Sequence, residues 1–128
     1  MTSIRRALTR IGVASGLVLM ISSGFESAQA AGALAVGSCG AYGLSYDYKE
    51  SAAASAAALK QCSGDCQLAT AMKRDCAALA IDVHNACGPY GFAAAPQLAQ
   101  AQNTALQLCY RYGGKDCVIR AFVCDQKN

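Results

Sequence analysis

The chain reads as an α+β protein built from an internally duplicated strand-strand-helix-strand unit, with two helices packed on antiparallel sheet and the whole stapled by disulfides. The first of three supporting observations is a repeated passage. Ala56 to Cys66 carries an Ala-Leu helix end, a cysteine, a glycine break and Asp-Cys, and Ala105 to Cys117 carries the same series. The second is the cysteine usage: all eight cysteines follow residue 30, about 8 % of what remains, in the range of disulfide scaffolds. The third is periodicity, alternation of two in the short β-prone runs and a helical stripe in the longer alanine-rich ones.

The first thirty residues are set apart as a cleaved secretory signal. Arg5, Arg6 and Arg10 form a basic start, Ile11 to Ser22 an apolar core, and Ala28-Gln29-Ala30 the small-x-small pattern of a cleavage site. The apolar core is shorter than the roughly 18 to 20 residues that span a bilayer. Arg5-Arg6 is a poor twin-arginine signal, because Ala7-Leu8 continues it badly. Val36-Gly37-Ser38-Cys39 lies too far beyond the apolar core for a lipoprotein site. Ala31 to Asn128 is then one small domain, expected in the periplasm or outside the cell. Without Arg5, Arg6, Arg10 and Glu26 its net charge falls from +3 to +1. That balance offers no basic patch for nucleic acid, whose binding relies on phosphate neutralisation.

In order, Gly32 to Val36 is a short strand, broken by Gly37 to Gly40, and Ala41 to Tyr46 a returning strand with alternating Tyr42, Leu44 and Tyr46. Asp47 and Glu50 have capping-box spacing before the alanine-rich helix Ser51 to Cys62, which Gly64 is expected to end. Cys66 to Met72 is a third strand and Lys73-Arg74-Asp75 a polar turn. Cys76 to Ile81 restarts the pattern. Gly32-Ala-Leu-Ala-Val matches Ala77-Ala-Leu-Ala-Ile at an offset of 45, and Cys39-Gly-Ala-Tyr-Gly matches Cys87-Gly-Pro-Tyr-Gly at 48. Pro96 is placed at the opening of the second helix, with Leu98, Ala101, Ala105, Leu108 and Tyr112 as its apolar stripe and Gly113-Gly114 as its stop. Cys117 to Cys124 is the last strand. The two copies run over about 32–76 and 77–124, with Cys39, Cys62, Cys66 and Cys76 corresponding to Cys87, Cys109, Cys117 and Cys124.

These motifs in this order resemble the bacterial domain of unknown function 4189 family. Gly32 to Val36, Ala41 to Gly43, Ala52 to Cys62 and Asp65 to Leu68 carry one copy of its pattern, and Ala77 to Ile81, Pro89 to Gly91, Ala101 to Cys109 and Asp116 to Ile119 the other. Pro89 stands where the family turn has alanine, and the Cys39/Cys87 pair is additional. The resemblance implies an exported protein of no settled activity, some of whose relatives are proposed as partners of, or protectors against, secreted effectors.

Eight cysteines allow 105 connectivities. Chain reversal after each helix favours Cys62–Cys66 and Cys109–Cys117, leaving Cys39–Cys87 and Cys76–Cys124 to pair across the pseudo-twofold. With every cysteine paired there is no thiolate nucleophile, and zinc is disfavoured in an exported chain with one histidine. No cofactor, metal ligand or catalytic residue is assigned. His84, beside Asp82, reads as a surface histidine on a loop. Tyr42 and Tyr90 read as the bulk that an alanine-rich core lacks. Partner binding is expected instead at the segments without a counterpart in the other copy, Asp82 to Asn85 and Tyr110 to Lys115, through Tyr110, Arg111, Tyr112 and His84. The function expected is a small exported binding module, an inhibitor or protective partner of another envelope or secreted protein. A small periplasmic hydrolase, a thiol-redox protein or a structural envelope protein are the alternatives.

Overall fold

The computed structural model describes residues 30–125; the expected signal lies outside the described residues up to position 29. Alternation along two strands determines the layering. β1 (Ala31–Val36) turns Ala31, Ala33 and Ala35 to one side and Leu34 and Val36 to the other; β4 (Cys76–Asp82) does the same with Cys76, Ala78 and Ala80 against Ala77, Leu79 and Ile81. The small set meets a helix, where close approach is needed. The large set meets the other sheet.

β1 lies between β2 (Tyr42–Tyr48) and β3 (Gln67–Lys73), and β4 between β5 (Asn85–Ala95) and β6 (Cys117–Cys124), all neighbours antiparallel. The antiparallel sheet expected from the sequence is thus two three-stranded sheets. Leu34 and Met72 of one interleave with Ala77, Leu79, Ile81 and Val123 of the other. α1 (Ser51–Gln61) covers the outer face of the first sheet with Ala54 and Ala58, and α2 (Leu98–Arg111) that of the second with Ala101, Ala105 and Cys109. The result is four layers, helix, sheet, sheet, helix.

The duplication extends to register. Ala35 opposes Gly43 and Val36 opposes Tyr42, as Ala80 opposes Gly91 and Ile81 opposes Tyr90. Each central strand also meets a β-bulge at the same step, so that Ala69 in β3 and Arg120 in β6 are the matched extra residues.

Several local expectations change. Tyr42-Gly43 lies inside β2, as the returning strand expected there, and Pro89-Tyr90-Gly91, a turn in the family pattern, is interior to β5. A Cβ on Gly43 would stand 1.9 Å from the Ala58 carbonyl oxygen, and one on Gly91 2.3 Å from that of Ala105, so glycine is there to let a helix backbone rest on the strand. Asp47 and Glu50 form no capping box. β2 continues through Tyr48, holding Asp47 in the strand at a left-handed φ of 64°, and Glu50 is itself the N-cap, without a side-chain cap bond. Pro96 sits two residues before α2, whose N-cap is Gln97. The buried stripe of α2 runs through Ala101, Ala105 and Cys109, while Tyr112 lies past the helix and is 64 % exposed. α1 ends at Gln61, before Gly64, whereas Gly113 at φ 103° does follow the end of α2.

The bridges are Cys39–Cys87, Cys62–Cys66, Cys76–Cys124 and Cys109–Cys117, the pairs set out from the sequence. One differs in meaning. Cys76 opens β4 and faces Cys124 in register, so this bridge staples the second sheet instead of crossing the pseudo-twofold. Its counterpart in the first sheet is the pair Ala31 and Lys73. Cys39–Cys87 alone among the four links the two halves. Asp125 holds the turn between β3 and β4: its buried carboxylate accepts from the backbone N–H of Arg74 (3.1 Å) and of Asp75.

Candidate functional site

Two insertions distinguish the second copy. Between Ile81 and Tyr90 the chain makes a hairpin through Val83 and His84, where the first copy has a 3-10 turn (Ser38–Gly40). After the helix, Cys109 and Cys117 are 8 residues apart, against 4 for Cys62 and Cys66. The fold brings the insertions together. Val83 N–H donates to the Asp116 carbonyl (2.9 Å), and the Asp82 carboxylate accepts from His84 N–H (2.9 Å) and Lys115 N–H (3.0 Å). Those backbone donors, Lys115 first, hold the Asp82 carboxyl below its ordinary range by stabilising the charged form. His84 Nε2 stands 3.1 Å from Asp116 Oδ2, with both side chains largely in solvent.

Beside them the pseudosymmetry fails in an informative way. Arg120, the bulged residue of β6, lies over the Tyr42 ring at 5.3 Å, and its Nε–H donates to the Gly40 carbonyl at 3.4 Å. Arginine over an aromatic face is attractive and covers it. The matched ring is Tyr90, but the matched bulge residue is Ala69, which is too short to reach over it. Tyr90 is accordingly 45 % exposed, which corrects its assignment to the core, while Tyr42 is half-buried. Tyr90 stacks with Phe92, ring centres 6.4 Å apart. Together with Pro89, Leu108 and Tyr112 they line a groove of about 460 Å³ between β5 and the end of α2. Pro89 also borders a smaller cavity of about 300 Å³ formed by Asp82, His84, Gly113, Lys115 and Asp116.

Of the four residues expected to bind a partner, Tyr112 lines the groove and His84 the neighbouring cavity. Tyr110, half exposed, turns its hydroxyl to donate to the Cys117 carbonyl at 3.4 Å, and Arg111 is exposed at the last residue of α2. Pro89, Tyr90, Phe92 and Leu108 were not expected to bind a partner. The signal that could have found them is the unlike pair Ala69 and Arg120 at matched positions.

The groove offers aromatic faces and tyrosine hydroxyls, which suit contact more than bond-making. All cysteines are oxidised among the described residues, and no group of three or more His, Cys, Asp or Glu is placed to hold a metal. No helix among them is long and apolar enough to cross a membrane. Residues 31–124 match the family described as "Domain of unknown function (DUF4189)". No curated protein and no solved structure matches the chain.

Proposed function

The chain belongs to the DUF4189 family, and we propose that this member is an exported binding module that holds a segment of another envelope or secreted protein in the groove between β5 and α2. One observation carries the reading: Tyr90 and Tyr112 stand exposed, with half-buried Phe92 beside Tyr90, around one concave surface at the place where the second copy departs from the first. Tyrosine and phenylalanine give large contact area with few rotors to freeze, and they concentrate at interface hot spots. The frame beneath is pre-ordered. β5 is held by β4 and α2, and the Cys109–Cys117 bridge closes the end of the helix, so little ordering opposes binding. The groove calls for an apolar or aromatic anchor on the partner. Export supports the choice of compartment, resting on the basic start, apolar core and Ala28-Gln29-Ala30 with four disulfides behind them.

The test is position-specific photocrosslinking in intact cells expressing the full chain. A benzophenone amino acid at Tyr112 is expected to give a discrete adduct that Tyr90→Ala together with Phe92→Ala abolishes. The same probe at Tyr46, an exposed tyrosine outside the groove, should give none. Equal adducts from both positions, or an adduct indifferent to the substitutions, would overturn the proposal.

A further inference from the structure

The four bridges differ in how a thiol can reach them. Cys109 and Cys117 are both buried. Cys62–Cys66 and Cys76–Cys124 each pair a half-exposed cysteine with a buried one, Cys62 at 8 % and Cys76 at 2 % exposure. Attack on the open sulfur of either would expel a thiolate into apolar surroundings, where the charge is poorly supported and the leaving group correspondingly poor. Only Cys39–Cys87 has both residues in solvent. Its backbone is also under constraint: Cys39 is held at φ 56°, ψ 38°, in the left-handed region that side chains avoid. An opened bridge would let it leave.

We propose that Cys39–Cys87 is a thiol–disulfide exchange site, opened by a protein or small-molecule dithiol while the other three bridges stay closed. One thiolate of the dithiol attacks one Sγ, forming a mixed disulfide and expelling the other cysteine as thiolate. The dithiol's second sulfur, as thiolate, then attacks the mixed disulfide, closes its own disulfide and releases the remaining cysteine. Two electrons pass from dithiol to bridge, and the two protons the dithiol gives up end on Cys39 and Cys87. The consequence is local. The sheet-to-sheet core does not include either residue, and the Arg120 bond to Gly40 still tethers the 3-10 turn. What loosens is the start of β5, where Gly88 and Tyr90 line both a small cavity of about 60 Å³ beside the bridge and the aromatic groove.

The inference does not depend on the groove having a partner, because the test reads the sulfurs directly. The oxidised protein is incubated with graded dithiothreitol, quenched with N-ethylmaleimide and peptide-mapped. Cys39 and Cys87 should label first and together, at reductant levels about tenfold or more below those that open the other six. Labelling of Cys66 or Cys124 first, or of all eight in one step, overturns the proposal. Hydrogen exchange on the doubly substituted Cys39→Ser, Cys87→Ser protein supplies the second readout. Faster exchange confined to residues 37–41 and 86–90 is expected. Unchanged exchange there, or loss of the fold, counts against a locally acting bridge.

Discussion

Gly43→Ala adds one methyl where the β2 backbone closely approaches α1. The new Cβ would sit 1.9 Å from the Ala58 carbonyl oxygen and 2.9 Å from Cys62 N, while ordinary contact begins at 3.4 Å. Both partners are backbone, so α1 must move by about 1.5 Å. What resists is modest and countable. α1 buries only Ala54 and Ala58, each worth about 0.8 kcal/mol of methyl burial. It also accepts the Ser45 hydroxyl at the Ala54 carbonyl (2.6 Å), worth about 1 kcal/mol. Lifting the helix therefore costs about 2.5 kcal/mol, within the range of overpacking. The lower chain entropy of alanine in the unfolded state returns about 0.5 kcal/mol. A net loss of about 2 kcal/mol lowers Tm by roughly 8 to 16 °C in a domain of this size. Gly64→Ala is the control: its Cβ meets nothing within 4 Å, but its φ is +90°, so only a backbone penalty of about 1 kcal/mol applies. Calorimetry of the oxidised proteins decides the matter. A Gly43→Ala protein melting within a few degrees of the parent, or above Gly64→Ala, would refute the claim that the strand glycine is there for the helix.

Removing Cys76–Cys124, which spans 48 residues, should cost about 4 kcal/mol against about 2 for Cys62–Cys66 in the chain-entropy account, measured by urea unfolding of the paired alanine variants. Asp82→Asn should destabilise at neutral pH, by removing an ionised acceptor whose folded pKa is depressed. That contribution is present above the unfolded value of 3.8 and lost as pH falls through the folded pKa, so the gap between variant and parent should close in acid. Asp125 has the opposite sign: burial raises its pKa, so its stabilisation is lost as pH rises through the folded value. Asp125→Asn should therefore gain on the parent from acid to neutral pH, both followed by denaturant titration. Ala69→Arg should lay a guanidinium over Tyr90 as Arg120 lies over Tyr42, and nitration of Tyr90 by tetranitromethane should fall; an unchanged rate would deny the pseudosymmetric origin of the groove.

Much of the architecture was legible because cysteines and alanines are hard to misread. Cys62 and Cys66 bracket a reversal too short for other partners, and Cys109 and Cys117 repeat it, so element order and bridges followed. The family's turn at Pro89 to Gly91 misled, because proline and glycine signal a turn when the helix resting on the strand is not in view. The division into two sheets was present as alanine on one face of β1 and β4 and leucine, valine or isoleucine on the other, but one-residue alternation does not say which neighbour each face meets. The groove was legible only in part. Tyr112 fell within an insertion and was singled out, whereas Tyr90 is matched in both copies and was assigned to the fold. By the pseudosymmetry, its exposure goes with Ala69, the small residue at the position matched to Arg120.

The alanine lining of both helix–sheet layers also bears on how the protein responds to temperature. Heat-capacity change on unfolding tracks the apolar area newly wetted, and methyl groups expose little of it. The four bridges further limit how far the unfolded chain opens. A small heat-capacity increment flattens the dome of free energy against temperature, so stability should change slowly from cold to warm and cold denaturation should be displaced to very low temperature. A fold that sets its layers by close backbone approach, with few large side chains, exchanges a high maximum of stability for a broad one.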